Sequence, residues 1–175
     1  IAVTRFTTRQ GYDSLPAISP DDRSVVFVSD RTGSLELYQT GLTTGAPEVA
    51  LTNNGGRNTE PEWSPDGRWI AFHSERLGGI WVVAAAGGAP QQIVDFGSDP
   101  SWSGDSERIA FVSDGRSSAA PSTLWTARRD GTDRQAVKFS TTLVGSLGQP
   151  SWSHNSRFIA FSLNDGRPVR EIWLT

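Results

Sequence analysis

Pro61-Glu62-Trp63-Ser64-Pro65-Asp66-Gly67-Arg68-Trp69-Ile70-Ala71-Phe72-His73-Ser74 decides the fold, because the same pattern returns at 16–29, 100–113 and 150–163. In every copy a Phe follows the opening Pro by eleven residues, at Phe27, Phe72, Phe111 and Phe161. Two residues after the Pro stands Ile18, Trp63, Trp102 or Trp152, always followed by a serine, at Ser19, Ser64, Ser103 and Ser153. Beyond each copy, after a spacer of varying length that contains Gly, comes an apolar-aromatic pair: Leu37-Tyr38, Ile80-Trp81, Leu124-Trp125 and Ile172-Trp173. Fixed apolar runs separated by Gly-bearing spacers of variable length read as strands joined by loops.

Each unit reads as four short strands. The first ends at the Trp-Ser pair, and Pro65-Asp66-Gly67 is turn chemistry, with Pro pre-setting φ and Gly permitting φ > 0. The second is the Ile-Ala-Phe run; Val25-Val26-Phe27-Val28 is apolar without interruption, as suits a strand covered on both faces. The third carries the aromatic pair, and the fourth is a weaker segment such as 48–52 or 91–94. No window keeps apolar residues at i, i+3, i+4 and i+7, so no helix is expected. The opening prolines, at 16, 61, 100 and 150, are 45, 39 and 50 residues apart. A four-stranded antiparallel unit at that period is a β-propeller blade, whose apolar faces are covered by neighbouring blades. The expected class is therefore all-β, a single propeller domain over 1–175 with four repeat units. The last unit stops after its third strand. Two arrangements fit: residues 1–15 supply the missing strand and close a four-bladed ring, or the four units are a segment of a larger propeller. Self-association is expected if the ring is incomplete, since end blades leave apolar faces open.

Composition narrows the function. Sixteen Lys and Arg against nineteen Asp and Glu give a net charge of −3, which offers no basic field for nucleic acid. The absence of Cys excludes disulfides, thiolate zinc sites and a cysteine nucleophile. The first apolar stretches are too short for a signal peptide or a membrane span, so no membrane insertion is expected. A first residue of Ile and the lack of any Met point to excision from a longer chain.

Pro-x-Trp-Ser-Pro-Asp-Gly-x-x-Ile-Ala-Phe-x-Ser, followed by Gly, an Ile-Trp or Leu-Tyr pair and a closing Leu-Thr, resembles the repeat of TolB-type, WD-like β-propellers. The likeness covers essentially the whole chain and departs from the pattern at Ile18, at Gly104 and at His154-Asn155-Ser156. It implies a bacterial, periplasmic or extracytoplasmic setting and a binding scaffold. Similar repeats occur in propellers attached to serine peptidases and in sensor regions of signalling proteins, so these are the alternatives that the resemblance carries.

Chemistry on this chain is not expected. Asp21, Asp66, Asp105 and Asn155 occupy one position of four successive units, which spreads them over equivalent turns instead of pairing them for acid-base work. There is no Gly-x-Ser-x-Gly elbow, and His73 and His154 have no partner at a ligand spacing. Binding residues are expected where the units differ, on the loops entering the first strand of each unit, which gather at one mouth of the channel. Tyr12, Arg57, Asn58, Glu60, Asp99 and Gln149 form the expected contact set for a protein or peptide, with Tyr12 and Arg57 the strongest as interface anchors. No cofactor is expected. Glu60, Glu62 and Asp99 are the one oxygen-rich group suited to Ca²⁺ near the channel.

Overall fold

The computed structural model describes residues 6–7, 9–43, 45–113, 122–166 and 171–175. They form four antiparallel sheets in chain order and, as expected, no helix. The first contains β1 (Asp13–Ile18), β2 (Ser24–Ser29), β3 (Glu36–Gly41) and β4 (Val49–Ala50). The second contains β5 (Asn58–Trp63), β6 (Trp69–Ser74), β7 (Ile80–Ala84) and β8 (Gln91–Val94). The third is built from β9 (Ser98–Trp102), β10 (Arg108–Val112), β11 (Leu124–Arg128) and β12 (Gln135–Ala136). The fourth has three strands, β13 (Ser146–Trp152), β14 (Ile159–Asn164) and β15 (Glu171–Leu174). The first strands of successive sheets lie against one another, β1 on β5, β5 on β9 and β9 on β13, so they form the inner wall. The weak fourth strand of the first unit is shorter than its apolar run, two residues instead of five.

The repeated Ser-x-Asp acts as a local clasp at each turn between first and second strand. Ser19, Ser64 and Ser103 donate their hydroxyls to Asp21, Asp66 and Asp105 at 2.5–2.6 Å, and Ser153 does the same to Asn155 at 2.8 Å. Each of these side chains then accepts the backbone N–H two residues on, from Arg23, Arg68, Glu107 and Arg157. The carboxylates are thus turn residues, and Asn serves equally well because the clasp needs only an acceptor oxygen.

Three apolar cores lie between successive sheets. Val26, Leu37, Phe72 and Trp63 belong to the one joining the first and second; Ile80, Val82, Trp102 and Phe111 to the next; Leu124, Phe161 and Leu163 to the last. The repeated Trp residues stitch these junctions: the Trp63 indole donates to the Ala17 carbonyl at 3.0 Å and that of Trp102 to Glu62 at 3.1 Å. Among the described residues no fourth core joins the last sheet to the first. Ile18, the counterpart of the buried Trp63 and Trp102, is 58% exposed. Ile172 and Leu174, the counterparts of the fully buried Ile80 and Val82, are 75% and 65% exposed. One repeat position is therefore buried or bare according to whether a neighbouring blade covers it. Of residues 1–15, expected to supply the closing strand, 1–5 and 8 lie outside the described residues; Asp13, Ser14 and Leu15 open β1, and Phe6 and Thr7 lie by Asp13, Pro16 and Phe27 of the first sheet.

Candidate functional site

The connections into β1, β5, β9 and β13 all emerge at the same end of the inner wall, because those strands run alike in their sheets. Each first strand is broken there by a bulge, and at each bulge the residue before the proline has positive φ: Leu15 (49°), Glu60 (56°), Asp99 (52°) and Gln149 (51°). Proline brings no N–H to the ladder, so the strand is released at that point and its preceding residue turns out of register. The left-handed backbone costs a non-glycine residue about 1–2 kcal/mol. Side chains offset part of this by bonding across the blades: Asp99 donates its N–H to the Glu60 carboxylate at 2.7 Å, and Gln149 donates its own to Asp99 at 3.1 Å.

Glu60 and Asp99, expected as partner contacts, are therefore first of all rungs between blades. Asn58 is not at the surface: it is fully buried, and its amide donates to Glu36, Thr52 and Asn54 at 2.9–3.0 Å. That corrects its assignment as a contact residue, since an amide sealed within the sheet cannot meet a partner. Glu36, which the repeat gave no reason to select, is the hub. Its buried carboxyl accepts from Thr52 at 2.5 Å and from the Gly55 N–H at 2.8 Å as well as from Asn58, and so pins the 53–58 loop from the neighbouring blade. Among the other units only the last has an acid at the start of its third strand, Glu171.

What the pinned loop offers to solvent is Arg57. Its guanidinium is paired with Glu75 at 2.9 Å and remains more than half exposed. Tyr12, at the corresponding entry to β1, is 67% exposed while its backbone N–H is held by the Asp30 carboxylate at 2.8 Å. Asp99 and Gln149 line a polar cleft of about 290 Å³ with Gly148, Ser162 and Asn164 between the third and fourth sheets. The structure thus brings Tyr12, Arg57, Asp99 and Gln149 to one rim and leaves Asn58 beneath it.

The three acids weighed for Ca²⁺ do not share a centre. Glu60 and Asp99 face successive backbone N–H groups, while Glu62 accepts from the Trp102 N–H at 3.3 Å. Among the described residues no group of three or more His, Cys, Asp or Glu is placed to hold a metal. Burial pushes the Glu62 carboxyl up to about 7, against the opposing pull of the Trp102 N–H and the Ser101 hydroxyl.

Four repeated antiparallel sheets radiating from a shared inner wall, with polar loops at its rim, define a β-propeller scaffold. This chain belongs to the TolB β-propeller domain family, whose profile matches residues 2–170. Over 41 residues it is 49% identical to the Tol-Pal system protein TolB of Bordetella pertussis, a match spanning 23% of this chain and 9% of that protein. The structure of a putative TolB from Agrobacterium tumefaciens aligns with a TM-score of 0.76 at 17% identity, covering 94% of this chain and 58% of that one. A prolyl endopeptidase aligns with a TM-score of 0.67 at 13% identity, over 94% of this chain and 28% of its own. At such identities the two structural likenesses concern the fold alone.

Proposed function

We propose that this chain is a non-catalytic binding module that recognises a protein or peptide at the rim formed by the loops entering the inner strands. One observation carries this reading: exposed Tyr12 and Arg57 and the Asp99–Gln149 cleft stand at the same end of a rigid scaffold, each backed by hydrogen bonds to its own or the next blade. Tyr supplies contact area at low entropic cost and Arg a multidentate donor, and both are enriched among interface anchors. A periplasmic or extracytoplasmic setting accords with the family and with the Tol-Pal protein it resembles.

The test is to pan a random-peptide display library on the immobilised protein and compare captured peptides on a Tyr12→Ala/Arg57→Ala variant. Capture should fall at least about tenfold, two anchors contributing on the order of 1–2 kcal/mol each, with Tm unchanged. Retained capture would move the binding face elsewhere. The alternative, a propeller segment of a peptidase, rests on the fold likeness to the prolyl endopeptidase. Its sign would be a hydrolase domain encoded beside this sequence.

A further inference from the structure

The opposite end of the inner wall carries the Ser-x-Asp turns, and there the three junctions between blades are not alike. Between the second and third sheets, the Asp66 N–H donates to the Ser106 hydroxyl at 3.0 Å; between the third and fourth, the Asp105 N–H donates to Ser156 at 3.2 Å. The matching residue at the first junction is Gly67, which has no hydroxyl to offer Asp21. A second difference lies farther out. Ala85 and Arg129 occupy the same repeat position, as their hydrogen bonds show: the Ala85 N–H donates to Arg68 and the Arg129 N–H to Glu107. At the second junction the Arg129 guanidinium lies 4.5 Å from the centre of the Trp69 ring and fills the gap. At the first junction both members are small, Ser24 in place of Trp69 and Ala85 in place of Arg129.

The result is a cleft of about 460 Å³ between the first two blades. Two carboxylates, Asp21 and Asp66, line it together with Gln39, Trp63, Ala85 and Ala86, and none of its lining side chains is basic. Gln39 is itself a departure, standing where Val82 packs in the second unit, and its carboxamide oxygen is buried beneath the cleft and accepts no hydrogen bond. A space rich in acceptors, at the position where the next junction holds an arginine of its own, has the chemistry of a receptor for that group.

We infer that the cleft between the first and second blades binds an arginine side chain presented by a partner protein, with Asp21 and Asp66 as its counter-charges. This site lies at the far end from the rim proposed above and stands independently of it. Guanidinium fits better than ammonium here because its planar array of donors reaches several acceptors at once.

The experiment follows backbone amide shifts of the intact chain by NMR during titration with N-acetyl-arginine amide, with N-acetyl-citrulline amide as the uncharged isostere. Shifts confined to the residues that line the cleft, Asp21, Ser24, Asp66, Gly67, Ala85 and Ala86 foremost, and binding at least about tenfold weaker for citrulline, are expected. Asp21→Asn/Asp66→Asn should abolish the response with the fold intact, since Asn155 already serves the same clasp in the fourth unit. Ala85→Arg should occupy the cleft from within and block the probe. Equal shifts with citrulline, shifts elsewhere, or an unaltered response in the double Asn variant would overturn the assignment.

Discussion

Asn58 and Glu36 show how much a single buried pair decides. Removing the Asn58 amide leaves the Glu36 carboxyl and Thr52 hydroxyl short of a donor in a buried site, a cost of about 2–3 kcal/mol. Asn58→Ala should therefore lower the unfolding midpoint in urea, and it should also free the loop that carries Arg57, visible as faster amide exchange at Gly55 and Gly56. A midpoint shift without faster loop exchange would separate stability from loop placement. Gly56 belongs to the same site, since a Cβ there would come within 2.5–2.8 Å of the Asn58 and Asn54 side-chain oxygens and the Ser74 hydroxyl. Glu62 acts through charge. Its folded pKa of about 7 lies above the ordinary 4.5, so the native state holds a proton that the unfolded chain releases. Stability is then greatest below about pH 4.5 as far as this group is concerned, and declines as pH rises to 7 and beyond. Glu62→Gln should flatten that decline and raise stability at pH 8 by roughly 1–3 kcal/mol, the side chain keeping some access to solvent. Equal pH dependence in wild type and variant would place the carboxyl in an ordinary environment.

At the scale of the strand, the bulge residues Glu60 and Asp99 couple the second blade to the third and the third to the fourth. Asp99 accepts the Gln149 N–H, whereas no further blade follows to meet the Gln149 side chain among the described residues. Asp99→Ala should accordingly cost about 1 kcal/mol, the net value of one such bond, while Gln149→Ala should change stability by less than about 0.5 kcal/mol. Paired denaturation curves decide it, and equal losses would mean that the bulge backbone alone sets the spacing. The turn clasp explains why this strand arrangement recurs despite changes in its residues. Pro, Gly and His all occur between the Ser and its acceptor, yet the geometry persists because the bonds run through the hydroxyl and the Asp or Asn oxygen.

For the whole molecule the two bare faces dominate. Ile172 and Leu174 at one end and Ile18 at the other are exposed at positions that inner blades bury, and apolar surface of that kind drives association. Light scattering should give a mass that rises with concentration, and Ile172→Lys/Leu174→Lys should return it towards that of one chain. A wild-type chain that stays monomeric throughout would mean that these faces are covered by residues of the chain itself.

The repeat alone settled the all-β class, the strand order within each blade and the structural role of the turn carboxylates, because those depend on local turn chemistry and on strand periodicity. The exposure of Tyr12 and Arg57 was equally legible, since their loops depart from the repeat. Asn58 was misplaced on the surface because it stands in a polar loop sequence, and only the tertiary structure brings Glu36 from the neighbouring blade to bury it. The bonds of Glu60 and Asp99 across the blades are likewise tertiary, since their carboxylates face backbone N–H groups 39 and 50 residues away. Sequence fixes which atoms can bond over a few residues; which of them meet across a blade junction, and which apolar positions stay bare, depends on how the sheets pack.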